Sequence, residues 1–126
     1  MSRKQSREQV FHRIYALSFD GDTLEENTLV MPPKNELEYM TGLYTAVTEN
    51  LAAIDELIRT HAKDFAFDRI FKIDLALLRL GIGEGKYTDI PSAVAINAVV
   101  DLAKKYSTEK SVTFVNGVLA KILQQS

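Results

Sequence analysis

IDLALLRLGIGEG, residues 73–85, decides the fold. Ile73, Leu77 and Leu80 recur with Ile70 at helical steps, and Leu75, Leu78 and Ile82 widen that stripe around the cylinder. A helix apolar over so much of its surface belongs at the centre of a core. The segment is expected to begin near Asp68 and to fray into Gly81, Gly83 and Gly85, because each glycine disfavours helix by about 1 kcal/mol relative to alanine. The Gly81–Lys86 run matches neither a dinucleotide fingerprint nor a P-loop, both of which need a preceding strand. Its glycines read as a loosened helix end or a close helix crossing.

Helical spacing extends outward in both directions. After Pro32-Pro33, the residues Leu37, Met40, Tyr44, Val47, Leu51, Ile54 and Ile58 form one stripe of a single long helix, with Asn35 and Glu38 at capping spacing. The first helix is expected from about Gln5 to Phe19, carrying Val10, Ile14 and Leu17, and Asp20-Gly21-Asp22 ends it. A weak segment from about Thr23 to Leu29 reads as one or two helical turns. Ile90-Pro91-Ser92 opens a further helix with Ile96, Val99, Val100, Ala103 and Tyr106 inward. A last helix starts near Glu109 to Ser111 and buries Val112, Val115, Leu119 and Ile122. The fold class is all-α, a bundle with short connections.

The 126 residues suit one domain, 1–126, with a boundary near Thr60 to Phe65 that sets a half of about 1–62 against one of about 63–126. Net charge is −2, so any nucleic-acid site is a local patch and not a global field. Cysteine is absent, which excludes disulfides and thiolate chemistry and fits a cytoplasmic setting. No apolar run reaches the roughly 20 residues of a membrane span, and no signal-like apolar segment follows the basic N-terminus. His12 and His61 have no ligand-spaced partners, so no metal, cofactor or catalytic site is expected. The N-terminal cluster of Arg3, Lys4, Arg7 and Arg13 is the informative feature. On an early-starting helix Arg3 and Arg7 share a face, with Lys4 beside them, and such a face can track phosphates.

Ordered motifs then narrow the reading. Leu78-Arg79-Leu80, Asp89-Ile90-Pro91, Val94-Ala95-Ile96-Asn97, Asp101-Leu102-Ala103-Lys104 and Phe114-Val115-Asn116-Gly117-Val118-Leu119 follow one another over some fifty residues. Arg7-Glu8 and Ile14-Tyr15 precede them on the first helix. This succession resembles the NusB family of bacterial transcription antitermination factors. The resemblance implies an all-α bundle of about six to seven helices in two three-helix subdomains, and a non-enzymatic RNA-binding adaptor. Its implied partners are single-stranded boxA-type RNA, the small-subunit ribosomal protein NusE and the transcription elongation complex, notably on ribosomal RNA operons. Some family members self-associate, so a homodimer is among the implied assemblies.

Residue by residue, the resemblance carries RNA contact to Arg3, Lys4, Arg7, Lys110 and Phe114. It carries NusE contact to Tyr15, Asp68 and Asp74. Cations on phosphates and aromatics on splayed bases are how single strands are held. Two roles are open to Phe114, an exposed stacking ring or a core side chain ahead of Val115. Asp68 equally reads as a helix cap. Asn97 and Asn116 read as hydrogen-bonding partners across the bundle, and Gly117 as a point of close helix approach. The chain departs from the family pattern at Ala98, Ser107 and Thr113, and its arginine cluster is sparser. A second reading is therefore a protein–protein interaction module with weak or lost RNA recognition. An RNA methyltransferase fusion, known for NusB-like domains, would need a catalytic domain that 126 residues do not hold.

Overall fold

The computed structural model describes residues 2–18, 34–62 and 66–124. Among these are six α-helices and one 3₁₀ turn, with no strand: α1 Arg3–Ala16, α2 Lys34–Glu49, α3 Leu51–His61, the turn Phe67–Arg69, α4 Lys72–Tyr87, α5 Ser92–Tyr106 and α6 Glu109–Leu123. The expectations for Asp20-Gly21-Asp22 and for Thr23 to Leu29 lie outside the described residues.

Helix α4 is the axis of the bundle and packs against all five other helices. Every residue from Asp74 to Glu84 is buried. One apolar cluster gathers Val10, Phe11 and Ile14 from α1, Met40, Leu43 and Val47 from α2, Ile54 and Ile58 from α3, and Val99, Leu102, Val115 and Leu119 from α5 and α6 around it.

The expected fraying of α4 does not occur, and the helix runs through its glycines to Tyr87. Close crossing is the reason. A Cβ on Gly81 would lie 2.8 Å from Leu119 Cδ1, one on Gly85 2.7 Å from Leu123 Cδ1, and one on Gly83 would collide with Val47 Cγ2. Packing against α2 and α6 outweighs the propensity cost of each glycine. Gly117 is different: a Cβ there would meet nothing within 4 Å, so the expected close approach is absent.

Two boundaries also differ from expectation. α1 begins at Arg3, not Gln5, because Ser2 and Gln5 form a capping box. The Ser2 hydroxyl accepts from the Gln5 N–H at 3.1 Å, and the Gln5 side chain accepts from the Ser2 N–H at 2.8 Å. The single long helix is two helices broken at Asn50, whose side-chain amide donates to the Ala46 carbonyl at 2.8 Å. That local bond replaces the ladder that would have continued α2. Leu37, expected in the stripe, is exposed, and Leu43 and Ala46 are buried beside Met40 and Val47 instead. Asn35 lies inside the first turn of α2, not at a cap.

Candidate nucleic-acid interface

The N-terminal cations divide into two kinds. Arg3 and Lys4 are exposed. Arg3 lies 3.9 Å over the Tyr39 ring and 3.4 Å from a Glu36 carboxylate oxygen, a charge contact that does not satisfy that oxygen as a hydrogen bond. Arg7 is buried, and this corrects the expectation of an open cationic face. Its Nε donates to Glu84 Oε1 at 2.6 Å and its Nη2 to Oε2 at 3.3 Å, with Glu84 itself fully inaccessible. The Tyr39 hydroxyl donates to the same carboxylate. A glutamate in so apolar a helix needs such partners, since an unpaired buried charge is very costly.

Ionisation follows this geometry. Burial works against the charged Arg7, but the hydrogen bond and charge of Glu84 outweigh it and raise its pKa. Burial, reinforced by Glu84, pushes the Tyr39 phenol well above its usual range. Both groups stay protonated at neutral pH, so the α1–α2–α4 junction is electrostatically locked. Arg79 does the same for α3, pairing Asp55 through two bonds of 2.9 and 2.8 Å.

The second patch is a groove of about 620 Å³ between the start of α4 and the start of α6. Arg69, Ile70, Phe71, Asp74, Lys110, Ser111 and Phe114 line it. Lys110 is exposed; Phe114 is half-buried, packed on the core while it lines the groove. Asp74 is buried, which corrects its expected place on a partner-facing surface. Its two carboxylate oxygens accept from Ser107 Oγ at 3.0 Å and Ser111 Oγ at 2.8 Å, fastening the α5–α6 turn to the first turn of α4. Thr108 caps α6 by accepting from the Ser111 N–H at 3.1 Å.

The remaining expected contacts are dispersed. Asp68 is exposed in the 3₁₀ turn and caps no helix. Tyr15 is half-buried on α1, stacked near Phe11 with ring centroids 6.4 Å apart. Asn97 and Asn116 are exposed, so neither bridges the bundle interior. Thus Lys110, Phe114 and Asp74 meet on one groove, while Arg3 and Arg7 meet on Tyr39.

Sequence reasoning missed Tyr39, Glu84 and Phe71. Glu84 was legible as an acid deep in an apolar helix that demanded a buried cation. Phe71 was legible as an aromatic off the Ile70–Ile73–Leu77 stripe.

Among the described residues, no group of three His, Asp or Glu side chains could hold a metal ion, and no helix is long and apolar enough to cross a membrane. The fold and its two patches define a class: an all-helical bundle that presents cations and aromatics at its surface. Residues 4–124 match the model of the NusB family. The transcription antitermination protein NusB of Finegoldia magna is 37% identical, covering 99% of this chain and 96% of the relative. Among solved structures, T. maritima NusB superposes with a TM-score of 0.84 at 30% identity, over 99% of this chain and 92% of that one. A structure of the antitermination factors NusB and NusE in complex with dsRNA superposes with a TM-score of 0.83 at 29% identity, covering 97% and 96%. The chain belongs to the NusB family.

Proposed function

We propose that this protein is a transcription antitermination factor that binds boxA-type nascent RNA together with NusE. The observation that carries this reading is membership of the NusB family along nearly the whole chain, and a relative of the same fold is known in complex with NusE and RNA. The whole of residues 1–126 acts as one RNA-binding domain in the cytoplasm, without turnover, and joins the elongation complex on ribosomal RNA operons.

Arg3, Lys4, Lys110 and Phe114 are the RNA contacts in this reading. Arg7 positions α1 through Glu84 instead of meeting phosphate, because its guanidinium is already paired and buried. Tyr15 and Asp68 face NusE, and Asp74 supports the turn that carries Lys110.

Fluorescence anisotropy with labelled boxA RNA, with and without NusE, tests the reading. Binding stronger than to a scrambled RNA is expected, and strongest with NusE. Equal, weak binding to both RNAs in both conditions would sink it. The withdrawal of Arg7 also favours a second reading, a protein-only module. Charge reversal at Arg3 and Lys4 separates the two: in the first reading it abolishes an RNA binding that the unaltered protein shows, whereas in the second RNA association is unchanged by it or absent throughout, with NusE binding intact.

A further inference from the structure

We infer that Phe71 is a base-stacking residue, and that the groove between α4 and α6 is a subsite for one unpaired nucleobase. The inference rests on the RNA-binding reading above. Phe71 is 72% exposed, far more than Leu17, Leu37 or Val94, the other large apolar side chains left in solvent among the described residues. It stands just before α4 with extended backbone, ψ 140°, between Ile70, which turns into the core, and Lys72. Nothing in core packing accounts for the phenyl ring there. A large exposed apolar group at the wall of a concave site marks a binding surface.

The neighbours of Phe71 identify the occupant. Its ring shares the groove with Phe114 and Lys110, so a strand that reaches those two residues passes Phe71 as well. Arg69 and Lys110 are both exposed on the lining and can meet phosphates on either side of a splayed base. Glu109, also exposed on the lining, offsets one of these charges, so stacking rather than charge carries the argument. At about 620 Å³ the groove falls in the range of roughly 300–1,000 Å³ typical of small-ligand sites.

Asp74 completes the device. Its carboxylate is turned onto Ser107 and Ser111 and so is spent within the protein. The same bonds tie the turn of α4 next to Phe71 to the turn next to Lys110, fixing the distance between the two walls. A preformed slot loses less conformational freedom when the base enters.

Phe71→Ala and Phe71→Trp in the full chain test this. Phe71 touches the core little, so both variants should fold, and circular dichroism melts verify it. Loss of one stacked base, about 1–3 kcal/mol, predicts a 5- to 150-fold weaker boxA affinity for Phe71→Ala, with NusE affinity and salt slope unchanged. Phe71→Trp should keep the affinity. As the only tryptophan in the chain, its fluorescence should be quenched on RNA binding. Unchanged RNA affinity in Phe71→Ala overturns the inference. So does loss of NusE binding alone, which would make the groove a protein-docking site. Phe114→Ala is the control. If it weakens RNA binding and Phe71→Ala does not, only this inference fails; if the unaltered protein prefers boxA RNA over no control, the underlying reading fails and this inference with it.

Discussion

Arg7 on α1 and Glu84 on α4 close a buried ion pair at 2.6 Å, seventy-seven residues apart in the chain. The pair pins the N-terminal helix, which carries the exposed Arg3 and Lys4, against the central helix. Replacing Arg7 with alanine leaves the Glu84 carboxylate buried with Tyr39 as its one remaining side-chain partner among the described residues. Breaking such a pair costs about 3–5 kcal/mol. Urea unfolding of Arg7→Ala should show a loss of this size, and Glu84→Gln a similar one, because it strands the guanidinium instead. A change below about 0.5 kcal/mol in both would mean that Arg7 leaves its pocket and serves as a surface cation after all.

The glycines separate packing from propensity. Gly83→Ala drives a Cβ into Val47 at the α2–α4 crossing, and valine has no flexible end to move aside. Overpacking of this kind costs about 1–3 kcal/mol and exceeds the helix propensity gained. Gly117→Ala meets open space, so it should stabilise α6 by about 0.5–1 kcal/mol. Thermal unfolding of the two variants should move in opposite directions. A shared sign would refute the close-crossing account of α4.

These contrasts show where the sequence was readable. Periodicity located the helical segments of the described residues, though it ran α2 and α3 together as one, since burial of one face is written every three or four residues. Boundaries escaped it at Ser2 and Asn50, where local side-chain hydrogen bonds decided the matter. The fate of Gly83 and Gly117 was not local at all, because it depends on what stands opposite. The candidate site was legible as a list of residue types in family order. Which cations are open to solvent depended on partners far along the chain: Glu84 for Arg7 and Glu36 for Arg3.

Acid should weaken the α1–α5 contact. Burial alone would raise the pKa of Glu8, but hydrogen bonds from Lys105 at 2.6 Å and from Tyr106 at 2.9 Å prevail and hold it below the ordinary glutamate value. A depressed folded-state pKa contributes stability that is present above the unfolded value, about 4.3. That stability is lost as pH falls through it toward the lowered one. The urea midpoint should therefore drop between pH 6 and pH 3, and Glu8→Gln should shrink that drop. An equal drop in the variant would assign the acid sensitivity elsewhere.

Glu36 restrains the cation that the RNA reading most needs. Its carboxylate oxygen lies 3.4 Å from Arg3 Nε, while the Arg3 side chain remains about half exposed over Tyr39. Phosphate and Glu36 therefore compete for one guanidinium. An ion pair with one exposed partner is worth about 0.2–1 kcal/mol, so Glu36→Gln should tighten RNA binding by up to about fivefold. Arg3 would then engage a phosphate fully, and the salt dependence of log K should steepen by as much as roughly 0.7. Arg3→Ala should weaken RNA binding, and in that background Glu36→Gln should have no effect, because the residue released is gone. Anisotropy titrations across a salt series measure all three variants. If Glu36→Gln weakens binding instead, the carboxylate orients Arg3 for RNA rather than competing for it, and the restraint proposed here is wrong.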